Sequence, residues 1–301
     1  MAEENKSLAW ITFPPCPGLP PASTAEVQGI IRLPHNVELW HGIYGVPLKV
    51  SLKAGKPPLA FIHGGVSHSG YYGHQIKYFA PNHTIIVYDL RGHGRSPFGD
   101  DKQLTYDKLS DDLLALLDHY SIPKVALIAW SEGCVVSWSF LSRFPKRVER
   151  AWLYSAVDDY RKTDGERVSQ IPMVKEYFGR METEWQELNP GKNYGEFIGC
   201  YVNLWMREPL WNAETFRNVP IRGEHTDAPI VWVVTADYDD WIPPETHRRF
   251  QSYIKNSSFL EMPGTGHMAF VQTPEIYNRL VDAFLHDPKP DMSKPQLKAS
   301  L

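Results

Sequence analysis

The stretch VALIAWSEGCVVSW, residues 125 to 138, does most to constrain this chain. Val125 to Ala129 has the apolar, β-branched character of a buried strand, and Cys134 to Leu141 that of a helix packed on apolar surface. Only Trp130-Ser131-Glu132-Gly133 stands between them. An ordinary strand-to-helix connection carries polar punctuation over several residues, so this turn must be very sharp. A small residue, Ala129, stands two before the serine, and Gly133 stands two after it.

The pattern of strand then helix recurs along the chain. LAFIHGG reads as an apolar strand ending at glycines, and TIIVYDLRGHG repeats that design. Thr105 to Tyr120 is predicted to be a helix, with Tyr106, Leu109, Leu113, Leu116, Leu117 and Tyr120 on one face at spacings of three and four. VERAWLYS is another strand, and APIVWVVTA, ETHRRFQSYI, SSFLEM and PEIYNRLVDAFL continue as strand, helix, strand, helix. The fold class expected is α/β, a mostly parallel central sheet flanked by helices on both faces.

Residues 157 to 226 break the rhythm. They show no strand pattern but are rich in aromatics, which reads as an inserted helical cap between a first core part, 27 to 156, and a second, 227 to 287. Residues 1 to 26, with PPCPGLPPAS, form a proline-rich extension, and 288 to 301 read as a disordered tail.

Composition removes several classes of function. A net charge of −4 without a Lys/Arg cluster argues against nucleic acid as a partner. Cys16, Cys134 and Cys200 are too scattered for a disulfide framework, so a reducing compartment is expected. The N-terminus MAEENKSLAW carries acids where a secretory signal would carry lysines, and no run approaches the roughly 18 apolar residues of a membrane span. The terminal ASL is only a faint match to a peroxisomal SKL address, so a cytoplasmic location without membrane association is expected. No HExxH, paired CxxC, calcium loop or post-strand GxGxxG is present, so neither metal nor cofactor is expected. Oligomeric state is not legible.

In a parallel sheet, functional groups gather at the carboxyl ends of the strands. Read in order, those ends carry His63-Gly64-Gly65, Asp89, Ser131, Ser155 to Asp159, Asp237 to Asp240, and PGTGH ending in His267. A serine, several aspartates and a histidine thus follow one another. AWSEG resembles the nucleophile elbow of the α/β-hydrolase family, G-x-S-x-G with Ala129 in place of the first glycine. FIHGG resembles that family's oxyanion loop, DLRGHGRS its D-x-R-G-x-G-x-S turn, and DDWIPP and GTGH the surroundings of its acid and histidine. The match spans roughly residues 27 to 285, with the cap least constrained.

The resemblance implies a triad of Ser131 as nucleophile, His267 as base and Asp239, four before Pro243, as acid. Some members draw the acid from the preceding core strand, where Asp158 and Asp159 stand. The oxyanion donors would be the backbone N–H groups of Gly65 and Glu132, with the Glu132 side chain pointing away from the oxyanion. His93 reads as loop support. Tyr71, Tyr72, Trp185, Trp205 and Trp211 are the candidate pocket residues.

The function expected is a serine hydrolase cleaving an ester or lactone of a small to medium apolar substrate through an acyl-Ser131 intermediate. The same parts serve a thioester or a carbon–carbon bond. Within the fold, the alternative is a lyase, condensation or cyclisation step in small-molecule biosynthesis. A ligand receptor ranks last, because no triad member is missing. Dehalogenase and epoxide hydrolase chemistry is disfavoured, since those members place an aspartate where Ser131 stands.

Overall fold

The computed structural model describes residues 12–99, 102–162, 164–239 and 241–289. Eight strands form one sheet in the order β1-β2-β4-β3-β5-β6-β7-β8. They are β1 (Ala25–Leu33), β2 (Val37–Gly45), β3 (Leu59–Ile62), β4 (Thr84–Tyr88), β5 (Val125–Trp130), β6 (Val148–Tyr154), β7 (Ile230–Tyr238) and β8 (Ser258–Gly266). Pairs β1–β2 and β2–β4 are antiparallel; every later pair is parallel.

The parallel strands are the ones legible as apolar runs, and burial explains why. Every residue of β3, β4 and β5 is buried, because helices cover both faces and no position has to be polar. The antiparallel edge, β1 and β2, was not anticipated. In β1 only Ile31 and Leu33 are buried, so an edge strand with one neighbour leaves no continuous apolar signal.

The helices are α1 (Leu48–Lys53), α2 (Gly73–Phe79), α3 (Tyr106–His119), α4 (Glu132–Arg143), α5 (Gly165–Gln170), α6 (Pro172–Leu188), α7 (Tyr194–Trp205), α8 (Pro244–Tyr253), α9 (Ala269–Gln272) and α10 (Pro274–Leu285). The Thr105 hydroxyl caps α3 by accepting from the Lys108 N–H at 3.1 Å, and the buried face is the leucine stripe read from the sequence. Among the described residues no helix is long and apolar enough to cross a membrane.

Between β6 and β7 the chain is helical, as α5, α6 and α7. Helix α6 buries Val174, Tyr177, Met181 and Trp185, and α7 buries Phe197, Tyr201 and Leu204, each at helical spacing. Polar tips of these aromatics fasten the insertion to loops of the sheet. Tyr177 donates to the Gly65 carbonyl, Trp185 to that of Gly92 at 2.8 Å and Tyr201 to that of Arg91 at 2.8 Å.

Residues 12–21 contain no regular element, yet they are packed. Phe13 is buried, with its ring 5.9 Å from that of Tyr71 and the Arg180 guanidinium 3.7 Å above it. Arg180, on α6, also donates to the Phe13 carbonyl at 2.8 Å. The segment therefore crosses the junction of sheet and insertion. Residues 1–11 of the expected extension, and 290–301 of the expected tail, lie outside the described residues.

Candidate active site

Strand order decides where side chains converge. From β3 the sheet runs to β4 on one side and to β5 on the other, so the loops after β3 and β5 open a crevice between them. Ser131 follows β5 and His63-Gly64-Gly65 follows β3.

Ser131 has φ 54° and ψ −122°, a left-handed conformation that a side-chain-bearing residue holds only when its surroundings over-determine it. Its N–H donates to the Tyr154 carbonyl at 2.9 Å, and it precedes α4 directly. Gly133 is required by close approach: a Cβ there would lie 2.2 Å from the Ile62 carbonyl oxygen and 2.5 Å from that of His63. The small residue two after the serine thus makes room for the neighbouring strand.

The His267 Nε2 lies 3.1 Å from the Ser131 Oγ, and its Nδ1 lies 3.0 Å from Asp239 Oδ1. With Nδ1–H donating to the carboxylate, the Nε2 lone pair faces the serine hydroxyl. The ring is clamped: Trp241 stacks on it at 4.5 Å and 2°, and the Trp130 indole donates to the His267 carbonyl at 2.7 Å. Asp239 is buried, and its Oδ1 also accepts from the backbone N–H of Trp241 at 3.2 Å and of Ile242 at 3.1 Å. Burial pushes its pKa up, but the His267 imidazole and the hydrogen bonds to His267 and Ser155 outweigh that and hold it below the ordinary carboxylate value.

Ser155 belongs to this group, although the sequence marked it only as part of a strand end. It follows β6 with φ 60°, its hydroxyl donates to Asp239 Oδ2 at 2.5 Å, and Ser155 Oγ lies 2.8 Å from His267 Nδ1. The other carboxylates are engaged elsewhere. Asp158 pairs with Arg249 and accepts from Tyr253 at 2.7 Å, and Asp159 pairs with Arg161 at 2.8 Å. Asp237 accepts from the N–H groups of Gly264 at 2.9 Å and Thr265 at 3.1 Å, which fixes the loop leading to His267. Asp240 lies outside the described residues.

The glycine loop packs directly against the serine. A Cβ on Gly64 would lie 3.0 Å from the Ser131 Cβ, and one on Gly65 would lie 2.8 Å from Glu132 Oε2. His93 Nε2 accepts from the Val66 N–H at 2.8 Å, which holds Val66 at φ 61°, an outlying value for a β-branched residue. His63 Nε2 accepts from the Leu90 N–H at 2.9 Å. Burial lowers the pKa of both histidines, that of His63 to about 4, so both are neutral supports of the loop.

Over Ser131 lies a cavity of about 520 Å3, floored by Ser131 and His267 and walled by residues of sheet and insertion. The pocket expectation needs correction here. Trp205 lines the cavity; Tyr71, Tyr72, Trp185 and Trp211 do not. Tyr71 lies under Phe13 with its hydroxyl on Glu184 at 2.9 Å, and Tyr72 donates to the Ile62 carbonyl at 3.0 Å. Trp185 stacks on Phe197 at 5.2 Å, and Trp211 packs on Phe216 and Phe250. These four glue elements together. The lining comes instead from Trp130, Trp241, Val66, Tyr177 and Phe178, among others. Trp130 and Trp241 flank the proposed nucleophile and acid in sequence, and that adjacency was the available signal.

The Glu132 side chain also departs from expectation. It does not turn away from the expected oxyanion position: Oε2 packs against Gly65, and Oε1 accepts from the Trp205 indole at 2.7 Å and from the Tyr106 hydroxyl at 3.2 Å. Removal from water pushes its pKa from the ordinary 4.5 to about 7.

Among the described residues, Cys16, His68 and Glu184 bring donor atoms within 4.8 Å of one another. His68 Nε2 is already bonded to Glu184 at 3.0 Å and its Nδ1 accepts from Gly70, so the cluster is internally satisfied. Burial pushes the Cys16 thiol up to about 11.

Comparison with known proteins agrees with this architecture. Residues 57–186 match a family model described as alpha/beta hydrolase fold, and 203–295 match one described as TAP-like protein. A proline iminopeptidase of Lactobacillus helveticus is 22% identical over 275 residues, covering 79% of this chain and 93% of that protein. A 3-oxoadipate enol-lactonase 2 of Acinetobacter baylyi is 34% identical over 97 residues, covering 32% of this chain and 35% of that protein. Among solved structures, a meta-cleavage product hydrolase from Pseudomonas fluorescens superposes with a TM-score of 0.69 at 15% identity, covering 87% of this chain and 98% of that one.

Proposed function

Given that this chain belongs to the α/β-hydrolase fold family, we propose that it is a serine hydrolase that cleaves an ester or lactone of a small to medium apolar substrate. His267 takes the Ser131 proton as Oγ attacks the carbonyl carbon. The negative charge that develops on the carbonyl oxygen is met by the backbone N–H groups of Gly65 and Glu132. His267 then passes the proton to the departing alkoxide, which leaves Ser131 acylated. Water, deprotonated by His267, attacks the acyl carbon; the acid departs and Ser131 recovers its proton. Asp239 stays ionised throughout, holding the imidazole tautomer and balancing the imidazolium.

One observation carries this reading: Ser131 Oγ, on a strained turn, lies 3.1 Å from an imidazole whose other nitrogen lies 3.0 Å from a buried carboxylate. The apolar cavity above it supports an apolar acyl or alkoxy group, and the α5–α7 insertion serves as its lid. The free cysteines fit a cytoplasmic location. The test is labelling with a fluorophosphonate, followed by a panel of esters and lactones. Ser131 is expected to be the serine modified, and His267→Ala to prevent it. Modification elsewhere, or undiminished labelling without His267, overturns the reading.

A further inference from the structure

The cavity above Ser131 is lopsided in charge. Glu132 and Glu208 are among the residues that line it, and among the described lining residues there is no lysine or arginine. Glu132 is 5% exposed. Two donors reach its Oε1, from Trp205 and Tyr106, whereas Oε2 is buried without a hydrogen-bond partner, against Gly65. The nearest basic group does not answer that charge. His93 Nε2 is 3.8 Å from Oε2, but this nitrogen accepts the Val66 N–H, and burial keeps the ring uncharged.

A buried carboxylate with one unmatched oxygen is costly unless something brings it a proton or a positive charge. This one also stands beside the amides proposed to hold the oxyanion, where an uncompensated negative charge would oppose the reaction. The surrounding surface favours cations as well. Trp130, Trp205, Trp241, Tyr106, Tyr177 and Phe178 line the cavity, and aromatic rings are the apolar groups with which an ammonium associates best. An anionic acyl group would meet two carboxylates and no counter-charge.

Resting on the serine-hydrolase reading above, we propose that the substrate carries a cationic nitrogen near the scissile carbonyl, and that Glu132 pairs with it. The pKa of about 7 is what burial gives this carboxyl while it is unpaired; a bound ammonium would lower it.

The test reads the rate at Ser131 directly. Three fluorophosphonates of equal tail length are compared, with the tail ending in an ammonium, a neutral isostere or a carboxylate. The second-order rate of Ser131 modification is expected to be about tenfold higher for the ammonium probe than for the neutral one. The carboxylate probe should be slowest. In Glu132→Gln the ratio of ammonium to neutral should collapse, whatever happens to the absolute rates, while Glu208→Gln should retain most of it. In the unaltered protein the ratio should also fall between about pH 8.5 and about pH 5.5, as Glu132 takes up a proton; effects on the nucleophile cancel in the ratio. Equal rates for the ammonium and neutral probes overturn the inference, as does a ratio undiminished in Glu132→Gln. Should that variant not fold, a ratio that does not fall at low pH overturns it. Failure of all three probes to modify Ser131 would overturn the serine-hydrolase reading instead.

Discussion

The carboxyl ends of the strands and the helical insertion build one cavity by opposite means. At the strand ends, position follows from backbone. Ser131, Ser155 and His267 each sit just past a strand end, and register between neighbouring strands sets their separation. In the insertion, position follows from side chains: α6 and α7 are held by aromatics whose polar tips bond to the loops after β3 and β4. The first arrangement is rigid because strand hydrogen bonds fix it. The second depends on a few contacts, each removable by one substitution. On the proposed reading, chemistry belongs to the strand ends, and selectivity together with part of the stability to the insertion.

The largest effect expected from this contrast is at Ser131. Ser131→Ala should lower turnover on the order of 10^6-fold with little change in melting temperature, since the hydroxyl makes no contact the fold needs. Substantial residual turnover would move the chemistry off the strand ends. Next comes Asp239→Asn, expected to cost about 10^4-fold, because the amide no longer holds the tautomer that presents the Nε2 lone pair. If that variant is near normal while Asp158→Asn is dead, the acid lies after β6 instead.

Within the insertion, Trp185→Ala should destabilise by about 3–5 kcal/mol, seen in denaturant unfolding, because it removes a buried ring and its bond to Gly92. A smaller effect is expected from Glu132. Its folded-state pKa of about 7 lies above the ordinary 4.5, so it contributes stability that is fully present below about 4.5 and lost as pH rises through about 7. The loss is at most on the order of 3 kcal/mol, and Glu132→Gln should flatten that part of the stability–pH curve. A slope unchanged in the variant would mean that the carboxyl is not isolated from water. Smallest of all, Trp205→Phe should raise KM by severalfold to about tenfold while leaving the melting temperature close to normal, since it removes one donor to Glu132 and retains an aromatic ring. Should Trp205→Phe unfold the protein as readily as Trp185→Ala, the distinction between anchoring and lining aromatics collapses.

Much of the sheet was legible because strands buried on both faces have to be apolar throughout, as LAFI, TIIVY and VALIAW are. The edge strand β1 carries no such run, since most of its side chains meet solvent. At the site, the elbow around Ser131 was legible because strain restricts its neighbours to small residues. Ser155 was not singled out, since a serine after a strand has no pattern until its hydroxyl is found between Asp239 and His267. The pocket tryptophans could not be sorted, because a ring that faces a cavity and a ring that faces a neighbouring helix obey the same periodicity.

By itself, then, the sequence determined the α/β class, the order of the chemical groups along the chain and the strand end each occupies. Those properties are local: they depend on side-chain period, turn size and the space a glycine leaves. Only the tertiary structure decided that Trp205 rather than Trp185 lines the cavity, that Asp158 is taken up by Arg249, and that the Glu132 carboxyl faces inward with one oxygen unmatched. Each of those depends on which of several equivalent neighbours lies adjacent in space, and elements far apart in sequence settle that only when they pack.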